Sequence, residues 1–288
     1  MIEHSIPQKV PPTPLDKYMR RAWPMLPGHE LRALLKRRDV KRDGVRLGAA
    51  DAVRGGQTLQ VYLPDRCLPP PAETVFDDRH LVGAVKPFGL PVDVDRDGVG
   101  ADTLLTRLRA RWPSARLCHR LDAATGGLVL AALDDETEAQ ALETFRAHAL
   151  RKRYLALVRG RLDTDEMDLT AWLVKDAAGA RVRVTHYAAR GAKPIETRVT
   201  LLDARGDISR VALEPVTGRT HQLRAHMADL GHPILGDDAY GDRAFNRAHP
   251  GGLRLWCEEI RLNRDCPLIA YRGRRFRAEA PREVFGEG

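Results

Sequence analysis

The hydrophobic pattern is clearest at residues 128–133, where LVLAAL forms an unbroken apolar run. A short run of this kind is typical of a strand that is buried on both faces. It is preceded by HRLDAATGG at residues 119–127, which places ionisable side chains and two glycines directly before the predicted buried strand. This junction between charge and core makes the stretch the first candidate for chemistry.

The rest of the C-terminal part mixes helical and strand periodicities. Apolar residues recur at helical spacing in ADTLLTRLRARW, DDETEAQALETFRAH and TGRTHQLRAHMADLG, which predicts three amphipathic helices. Strands are predicted in KRYLALVRG, ETRVTLLDA and ISRVALEPV, and HLVGAVKPFGLPVDV predicts a strand, a turn and a second strand. Because strands and helices do not alternate regularly, the pattern indicates an α+β fold rather than a doubly wound sheet.

The N-terminal part has the pattern of a small separate module. Leu31, Leu34 and Leu35 lie at helical spacing, Asp43-Gly44 predicts a tight hairpin, and GGQTLQVYLP predicts a closing strand. The expected organisation is a flexible arm at residues 1–12, this module at 13–66, a proline-rich linker at 67–73 and one larger domain at 74–288.

Positive charge is concentrated in the N-terminal module. The whole chain has a formal net charge of +8, and residues 15–54 contain eleven Lys or Arg against five Asp or Glu. A cationic face of this kind favours an anionic partner, most often nucleic acid, and a solvated charged helix is the alternative. The residues assigned to this face are Arg32, Lys36, Arg37, Arg38, Lys41 and Arg42.

Composition narrows the class of protein. With 43% hydrophobic and 30% charged residues, the chain is ordinary globular material. No stretch approaches the ~18 uninterrupted apolar residues of a membrane helix, and the N-terminus lacks the apolar segment of a secretory signal, so we expect a cytoplasmic protein. The four cysteines show neither a C-x-x-C pair nor zinc-finger spacing, so we expect free thiols and no metal site.

Asp122 is the first candidate catalytic group. The small residues that follow it, Ala-Ala-Thr-Gly-Gly, leave room for another molecule to approach the carboxylate. Aspartate beside threonine and glycine more commonly caps a turn or a helix, and this alternative stays open on the residues alone.

Three further places carry candidate chemistry. GRTHQLRAH at 218–226 gathers more polar side chains than one solvated helix face needs, and an arginine from it near Asp122 would orient that carboxylate. Tyr154 lies on an apolar strand, where it either packs in the core or stacks on a base. Lys86 sits in a turn between apolar stretches, where a structural role is equally consistent.

In their order along the chain, these stretches resemble the RluA-type family of RNA pseudouridine synthases over about residues 74–272. VKPFGLPV is similar to the family's K-P-x-G-x-P-V turn, HRLDAATGGLVLAA to its H-R-L-D signature and KRYLALVRG to its K-x-Y strand. GRTHQLRAHMADLGHPILGDDAYG is similar to its late block. Gly126 stands where the family usually has serine, and we expect glycine to keep the turn. Residues 13–64 resemble the alpha-L RNA-binding domain.

The resemblance implies a fold and a reaction. The fold would be a mixed, mostly antiparallel sheet flanked by helices, with a small α/β RNA-binding module. The reaction would convert specific uridines in structured RNA, ribosomal RNA more than transfer RNA, to pseudouridine by base flipping and an aspartate-dependent break and re-formation of the glycosidic bond. It would need no cofactor, because nothing is oxidised and nothing leaves. The partner would be RNA. Composition adds the expectation of no membrane or metal partner, and the sequence leaves the oligomeric state open, with a monomer as the default.

The resemblance also implies residue roles. The catalytic residues would be Asp122, Tyr154 and Arg219, with Arg219 paired to Asp122 and Tyr154 packed on the target base. Arg120 would fill the space that the base leaves. The other residues expected to bind substrate are His119, Leu223, Lys86, Gln222 and Arg224.

Two other classes of protein could share parts of this pattern. An RNA-binding ribosome-assembly factor could keep this fold without the chemistry, although intact Asp122, Tyr154 and Arg219 argue against it. A glycosidase-type hydrolase needs a second carboxylate in the same site. Asp134 and Asp135 follow the strand and are better placed as the first residues of a helix.

Overall fold

The computed structural model describes residues 1–176 and 181–286, which form two compact units. The first unit contains Met1–Ala72 and Gly89–Ala115, and the second contains Glu73–Phe88 and the described residues from Arg116 onward. Within these described ranges, no helix is long and apolar enough to cross a membrane.

The first unit is a small module of helices and short strands. Its helices are α1 (Leu15–Ala22), α2 (Gly28–Arg37) and α3 (Leu104–Arg109). Its strands are β1 (Ile2–Ser5), β2 (Thr13–Pro14), β3 (Val40–Arg42), β4 (Val45–Arg46), β5 (Ala52–Val53) and β6 (Thr58–Val61). An antiparallel sheet runs in the order β1-β6-β3-β4, and β2 pairs with β5. The predicted leucines of α2 are buried in the core of this unit.

The predicted hairpin after α2 is confirmed. Asp43 and Gly44 have φ angles of 51° and 79°, and β3 and β4 pair on either side of them. Two successive residues with positive φ are what a two-residue hairpin turn requires, because that turn matches the twist of the flanking strands.

The expectation of a flexible arm at residues 1–12 is wrong. Ile2–Ser5 pair with β6, and Ile6 and Val10 are buried in the core of the first unit. The strand contributes few apolar side chains, so its pairing depends on the partner strand and not on a pattern within the segment itself.

The prediction that residues 89–115 belong to the larger domain is also wrong, because this segment is part of the first unit. The N–H groups of Ala101 and Asp102 both donate to the Ala22 carbonyl at 2.9 Å, which ties this segment to the end of α1. The second strand predicted in FGLPVDV does not form. The carbonyls of Pro91 and Val92 instead accept the first N–H groups of α3 at 2.9 and 3.0 Å, and those donors have no partner within the helix.

The second unit is built on one large sheet. Its strands are β7 (Glu73–Asp77), β8 (Leu81–Lys86), β9 (Arg116–Leu117), β10 (Gly126–Ala132), β11 (Leu150–Arg159), β12 (Glu166–Lys175), β13 (Val182–Thr185), β14 (Lys193–Arg205), β15 (Ile208–Pro215), β16 (Leu255–Leu262) and β17 (Arg275–Arg277). Its helices are α4 (Asp135–Arg146), α5 (Gln222–Asp229), α6 (Arg243–Ala248) and α7 (Arg282–Phe285). The main path of the sheet is β13-β12-β14-β15-β11-β16-β10-β8-β7, with β9 on β10 and β17 on β16.

The expected mixed, mostly antiparallel α+β fold is confirmed. Along the described part of this sheet, β10 and β16 run parallel, while the other neighbouring strands are antiparallel. Every residue of β10 is buried, as the unbroken apolar run predicts. The strand therefore anchors the polar loop that comes before it.

Two glycines at the start of β10 let the strand approach β16 closely. Gly127 has a φ of 112°, and a Cβ there would lie 2.3 Å from the Cys257 carbonyl oxygen. A Cβ on Gly126 would lie 2.6 Å from the ring of Trp256 and 3.0 Å from that of Phe88. The ring centroids of Trp256 and Phe88 are 5.4 Å apart, so the space that a serine would need is filled by these aromatic rings.

We expect Gly126→Ser to lower the free energy of unfolding by about 1–3 kcal/mol, because the new Cβ overpacks the contact with Trp256. Urea unfolding of Gly126→Ser, Trp256→Phe and the double variant measures the coupling. Since the clashing atoms belong to the six-membered ring of the indole, serine should cost less stability in the Trp256→Phe background than beside the native tryptophan. An equal cost in both backgrounds would contradict this packing explanation.

Candidate active site

Asp122 lies in the loop between β9 and β10, and its backbone is held from two sides. The Thr125 N–H donates to the Asp122 carbonyl at 3.0 Å, which closes a turn. The Lys86 ammonium donates to the Ala123 carbonyl at 2.8 Å and to the Pro87 carbonyl at 3.0 Å. The Asp122 side chain remains 27% exposed at the end of this fixed loop.

Lys86 is fully buried, so its role is structural toward this loop. Burial lowers the pKa of its amine from 10.5 to about 7, while the nearby Asp122 charge acts in the opposite direction. The sequence predicted that Lys86 would bind substrate, but the structure directs its hydrogen bonds at backbone carbonyls beside Asp122.

The arginine that reaches Asp122 is Arg224 on α5, not Arg219. Arg224 Nη1 donates to Asp122 Oδ2 at 3.3 Å. Arg219 is exposed, and its backbone N–H donates to Gln222. The predicted pairing of Arg219 with Asp122 is therefore wrong. Arg224 lies on the inward side of α5, whereas Arg219 precedes the helix, where local sequence gives no direction for its side chain.

Asp237 holds the same arginine from the other side. Arg224 Nε and Nη2 donate to its two carboxylate oxygens at 2.7 and 2.8 Å. Although burial raises the pKa of Asp237, the hydrogen bonds and charge of Arg224 outweigh it and hold the pKa below its usual value. The N–H groups of Ala239 and Tyr240 also donate to this carboxylate. Asp237 is buried and fully engaged, which suits a support and not a second reacting carboxylate.

Tyr154 lies on β11 and is 7% exposed. Burial raises the pKa of its hydroxyl well above its usual value, and Cys257 and Asp122 act in the same direction. The phenol therefore stays protonated and presents a neutral polar tip near the Asp122 charge.

The remaining residues expected to bind substrate divide into two groups. Arg120 is exposed, and its side chain makes no hydrogen bond or ion pair with any residue that the structure describes. Leu223 is 6% exposed on α5. The side chains of His119 and Gln222 are instead engaged within the protein.

His119 and Gln222 use their polar atoms internally. The Leu130 N–H donates to His119 Nε2 at 3.1 Å, the ring stacks on Phe145, and burial lowers the pKa of His119 to about 3. Gln222 Nε2 donates to the Glu196 carbonyl at 2.9 Å, which ties the start of α5 to β14. These contacts give both residues a structural role.

Sequence reasoning missed Asp237 and Tyr240 as individual residues. Both lie in GDDAYG, within the late block that carried the family resemblance. The Tyr240 hydroxyl lies 3.0 Å from His221 Nδ1, and His221 Nε2 lies 3.6 Å from Asp122 Oδ2. The available signal was the place of both residues in GDDAYG, a few residues after the helix that carries Arg224.

The glycosidase alternative finds no support at the expected positions. The Thr137 N–H donates to the Asp134 carboxylate at 2.8 Å, so Asp134 caps α4, and Asp135 begins that helix. Within the described ranges, no group of three or more His, Cys, Asp or Glu is arranged to hold a metal ion.

The basic residues of the first unit are mostly accessible. Arg32, Lys36, Arg37 and Arg38 are exposed, whereas Lys41 and Arg42 are half-buried. Arg37 Nε donates to Asp39 at 2.7 Å, and Arg42 donates to the Ala52 carbonyl. The first group therefore keeps most of its cationic atoms at the surface.

Comparisons with known proteins point to one family. A family described as RNA pseudouridylate synthase matches residues 80–229. The chain is 36% identical over 176 residues to the dual-specificity RNA pseudouridine synthase RluA of Yersinia pestis, covering 61% of this chain and 82% of that protein. It is 32% identical over 252 residues to the ribosomal large subunit pseudouridine synthase C of Vibrio cholerae, covering 81% of this chain and 78% of that protein. The solved structure of human RNA pseudouridylate synthase domain containing 1 matches with a TM-score of 0.59 at 29% identity, covering 67% of this chain and 79% of that structure's chain.

The two arginines should respond differently to the same substitution. Arg224→Gln leaves Asp237 buried without its charge partner, so we expect it to lower the free energy of unfolding by about 3–5 kcal/mol and to abolish pseudouridine formation. Arg219→Gln should change stability by less than about 0.5 kcal/mol, because Arg219 is exposed. Urea unfolding and a pseudouridine assay measure both. A stable Arg224→Gln variant together with an inactive Arg219→Gln variant would reverse the assignment.

Proposed function

Because the chain belongs to the RluA-type family of RNA pseudouridine synthases, isomerases that convert uridine in RNA to pseudouridine, we propose that Asp122 is the carboxylate on which its reaction depends. One observation carries this proposal. The Asp122 side chain accepts from Arg224 at 3.3 Å and from no backbone N–H among the described residues. A turn or helix cap would use its carboxylate on backbone donors.

The reaction breaks the bond between N1 of the base and C1′ of the ribose and joins C5 to C1′. N1 gains a proton and C5 loses one, so the product has the composition of the substrate. A carboxylate can serve as the nucleophile or stabilise positive charge on the ribose while the base turns. The Arg224 charge orients Asp122 for either role.

Tyr154 and Arg120 complete the proposed site. The neutral, buried phenol of Tyr154 packs on the target base and offers a hydroxyl near C5 for proton transfer. Arg120 has a long, planar cation that is exposed and engaged with no described residue. It enters the RNA stack where the target base has turned out, because a paired base hides the atoms that must react.

The first unit is proposed to bind RNA phosphates, as an alpha-L-type domain. Its exposed cations supply affinity and position the RNA without reading much sequence. Ribosomal RNA is the favoured substrate, because the alignment with the ribosomal large subunit enzyme covers 81% of the chain and so includes part of residues 1–72. Transfer RNA is the other substrate class considered. A cytoplasmic location and a monomeric state stay predictions.

The central experiment maps pseudouridine in cells that lack the native protein and express either the wild type or Asp122→Asn. Asparagine keeps the shape of the side chain and removes its charge, so we expect a modified site with the wild type and none with the variant. Carbodiimide treatment of total RNA followed by sequencing of reverse-transcription stops locates the site. Asp163→Asn, at an exposed position, is the matched control and should keep full modification.

The outcomes separate the candidate functions. A site that depends on Asp122 identifies both the reaction and the RNA. RNA binding without any modified site would favour the assembly factor, and released uracil would favour a hydrolase. Full modification by Asp122→Asn would overturn the assignment of Asp122.

The RNA-binding role of the first unit is tested by charge. Replacing Arg37, Arg38 and Lys41 together by glutamine should weaken RNA binding. The plot of the logarithm of the association constant against log salt should also become less steep, by about 0.7–0.9 for each phosphate that the protein no longer neutralises. The control replaces three exposed arginines of the second unit, Arg146, Arg161 and Arg205, with the same change in net charge. Equal slopes for the two triple variants would show that this face does not bind RNA.

A further inference from the structure

His221 occupies an unusual position directly before α5. Its φ and ψ are 55° and 16°, a left-handed conformation that is uncommon for residues other than glycine. This backbone places the ring between two partners. Nε2 lies 3.6 Å from Asp122 Oδ2, and Nδ1 lies 3.0 Å from the Tyr240 hydroxyl oxygen.

The hydrogen bonds of Tyr240 decide where the proton of His221 lies. The Val182 N–H donates to the Tyr240 oxygen at 2.9 Å, so that oxygen already accepts one hydrogen bond. Burial raises the pKa of the Tyr240 hydroxyl, which therefore keeps its proton and has His221 Nδ1 as an acceptor in reach. If the hydroxyl donates to Nδ1, the imidazole proton must be on Nε2, which faces Asp122.

Burial favours the neutral ring of His221 and lowers its pKa. The charges of Asp122 and Asp237 act in the opposite direction and the Arg224 charge acts with burial, so the pKa stays below its usual value. The hydroxyl of Tyr240 adds a donor to Nδ1, which also favours the neutral form.

Arg224 and His221 approach the same oxygen of Asp122. Arg224 Nη1 lies 3.3 Å from Oδ2, and His221 Nε2 approaches Oδ2 as well. The other oxygen, Oδ1, has no hydrogen-bond partner among the described residues. The arrangement therefore distinguishes the two oxygens of one carboxylate.

We propose that Tyr240 and His221 form a positioning pair that holds His221 as the Nε2–H tautomer, so that His221 and Arg224 together hold Oδ2 of Asp122 and leave Oδ1 for the substrate. The pair deepens the proposed function, since it rests on Asp122 as the essential carboxylate. The 3.6 Å contact is longer than a hydrogen bond, and such contacts shorten when substrate fills a site. Both residues are proposed to act through Asp122, so both are positioning residues.

The tautomer can be read directly by ¹⁵N NMR of the full chain labelled at histidine, with His221→Gln identifying the signal. We expect the wild type at pH 7 to show a neutral His221 with its proton on Nε2. Tyr240→Phe removes the donor to Nδ1, so this preference should weaken and the pKa of His221 should rise. An Nδ1–H tautomer or a charged ring in the wild type would overturn the proposal, and this readout does not depend on activity.

Single-turnover kinetics test the consequence for the reaction, using total RNA from cells that express Asp122→Asn as substrate. Tyr240→Phe and His221→Leu should slow the reaction about tenfold or more with RNA affinity unchanged within about threefold, corresponding to about 1.4 kcal/mol of transition-state stabilisation. His221→Gln, whose amide can donate in place of Nε2–H, should recover part of the rate. The exposed Tyr187→Phe is the control and should match the wild type.

The pH profile separates positioning from a general loss of structure. Because the pKa of His221 should rise in Tyr240→Phe, its rate should begin to fall at a higher pH than the wild-type rate as the solution is acidified. Adding His221→Gln should remove that shift. A uniform loss of rate at every pH, with no recovery in His221→Gln, would show a structural role alone and overturn the proposal. Activity in Asp122→Asn would instead overturn the proposed function and leave the tautomer result standing.

Discussion

The buried ion pair between Arg224 and Asp237 is the interaction on which the site depends. The two side chains are 9% and 0% exposed, so neither charge has water to replace its partner. Nε and Nη2 of Arg224 are committed to Asp237, which fixes the plane of the guanidinium and leaves Nη1 directed at Asp122. A buried pair of this kind adds little net stability, but it specifies one arrangement, because every other arrangement leaves a buried charge unpaired.

Hydrogen bonds and close packing between distant parts of the chain hold the elements around this pair in place. Gln222 ties the start of α5 to β14, and Lys86 ties the loop of Asp122 to the end of β8. The glycines that begin β10 allow that strand to lie against β16 at a distance that a side chain would prevent. Several polar residues near Asp122 therefore support the position of its carboxylate, and few of them are left to contact RNA. A carboxylate held in this way loses little orientation freedom when substrate binds.

The charged side chains of the two units differ in burial and pairing. In the second unit Arg224 and Asp237 are buried and paired, and Arg224 is directed at Asp122, which suits chemistry at one atom. In the first unit Arg32, Lys36 and Arg38 lie at the surface. Salt screens exposed charges, so each ionic contact there is weak and binding depends on several of them acting together. Exposed cations suit an extended polyanion, since affinity for RNA comes from many phosphate contacts.

The sequence alone determined the features that depend on neighbours along the chain. The buried run of β10, the amphipathic periodicity of α2 and α4 and the Asp43-Gly44 hairpin are local, and each formed as predicted. The helix α5 also forms, but it buries all of Gln222–Met227 and not one face alone. The motifs around Asp122 and Arg224 identified the family, because their residues and order are specific. Only the tertiary structure decided which arginine reaches Asp122, that His119 and Gln222 serve the fold, that Ile2–Ser5 join a sheet and that the segment 89–115 belongs to the first unit. Each of these depends on atoms that are close in space and far apart in sequence, and spacing along the chain does not encode such contacts.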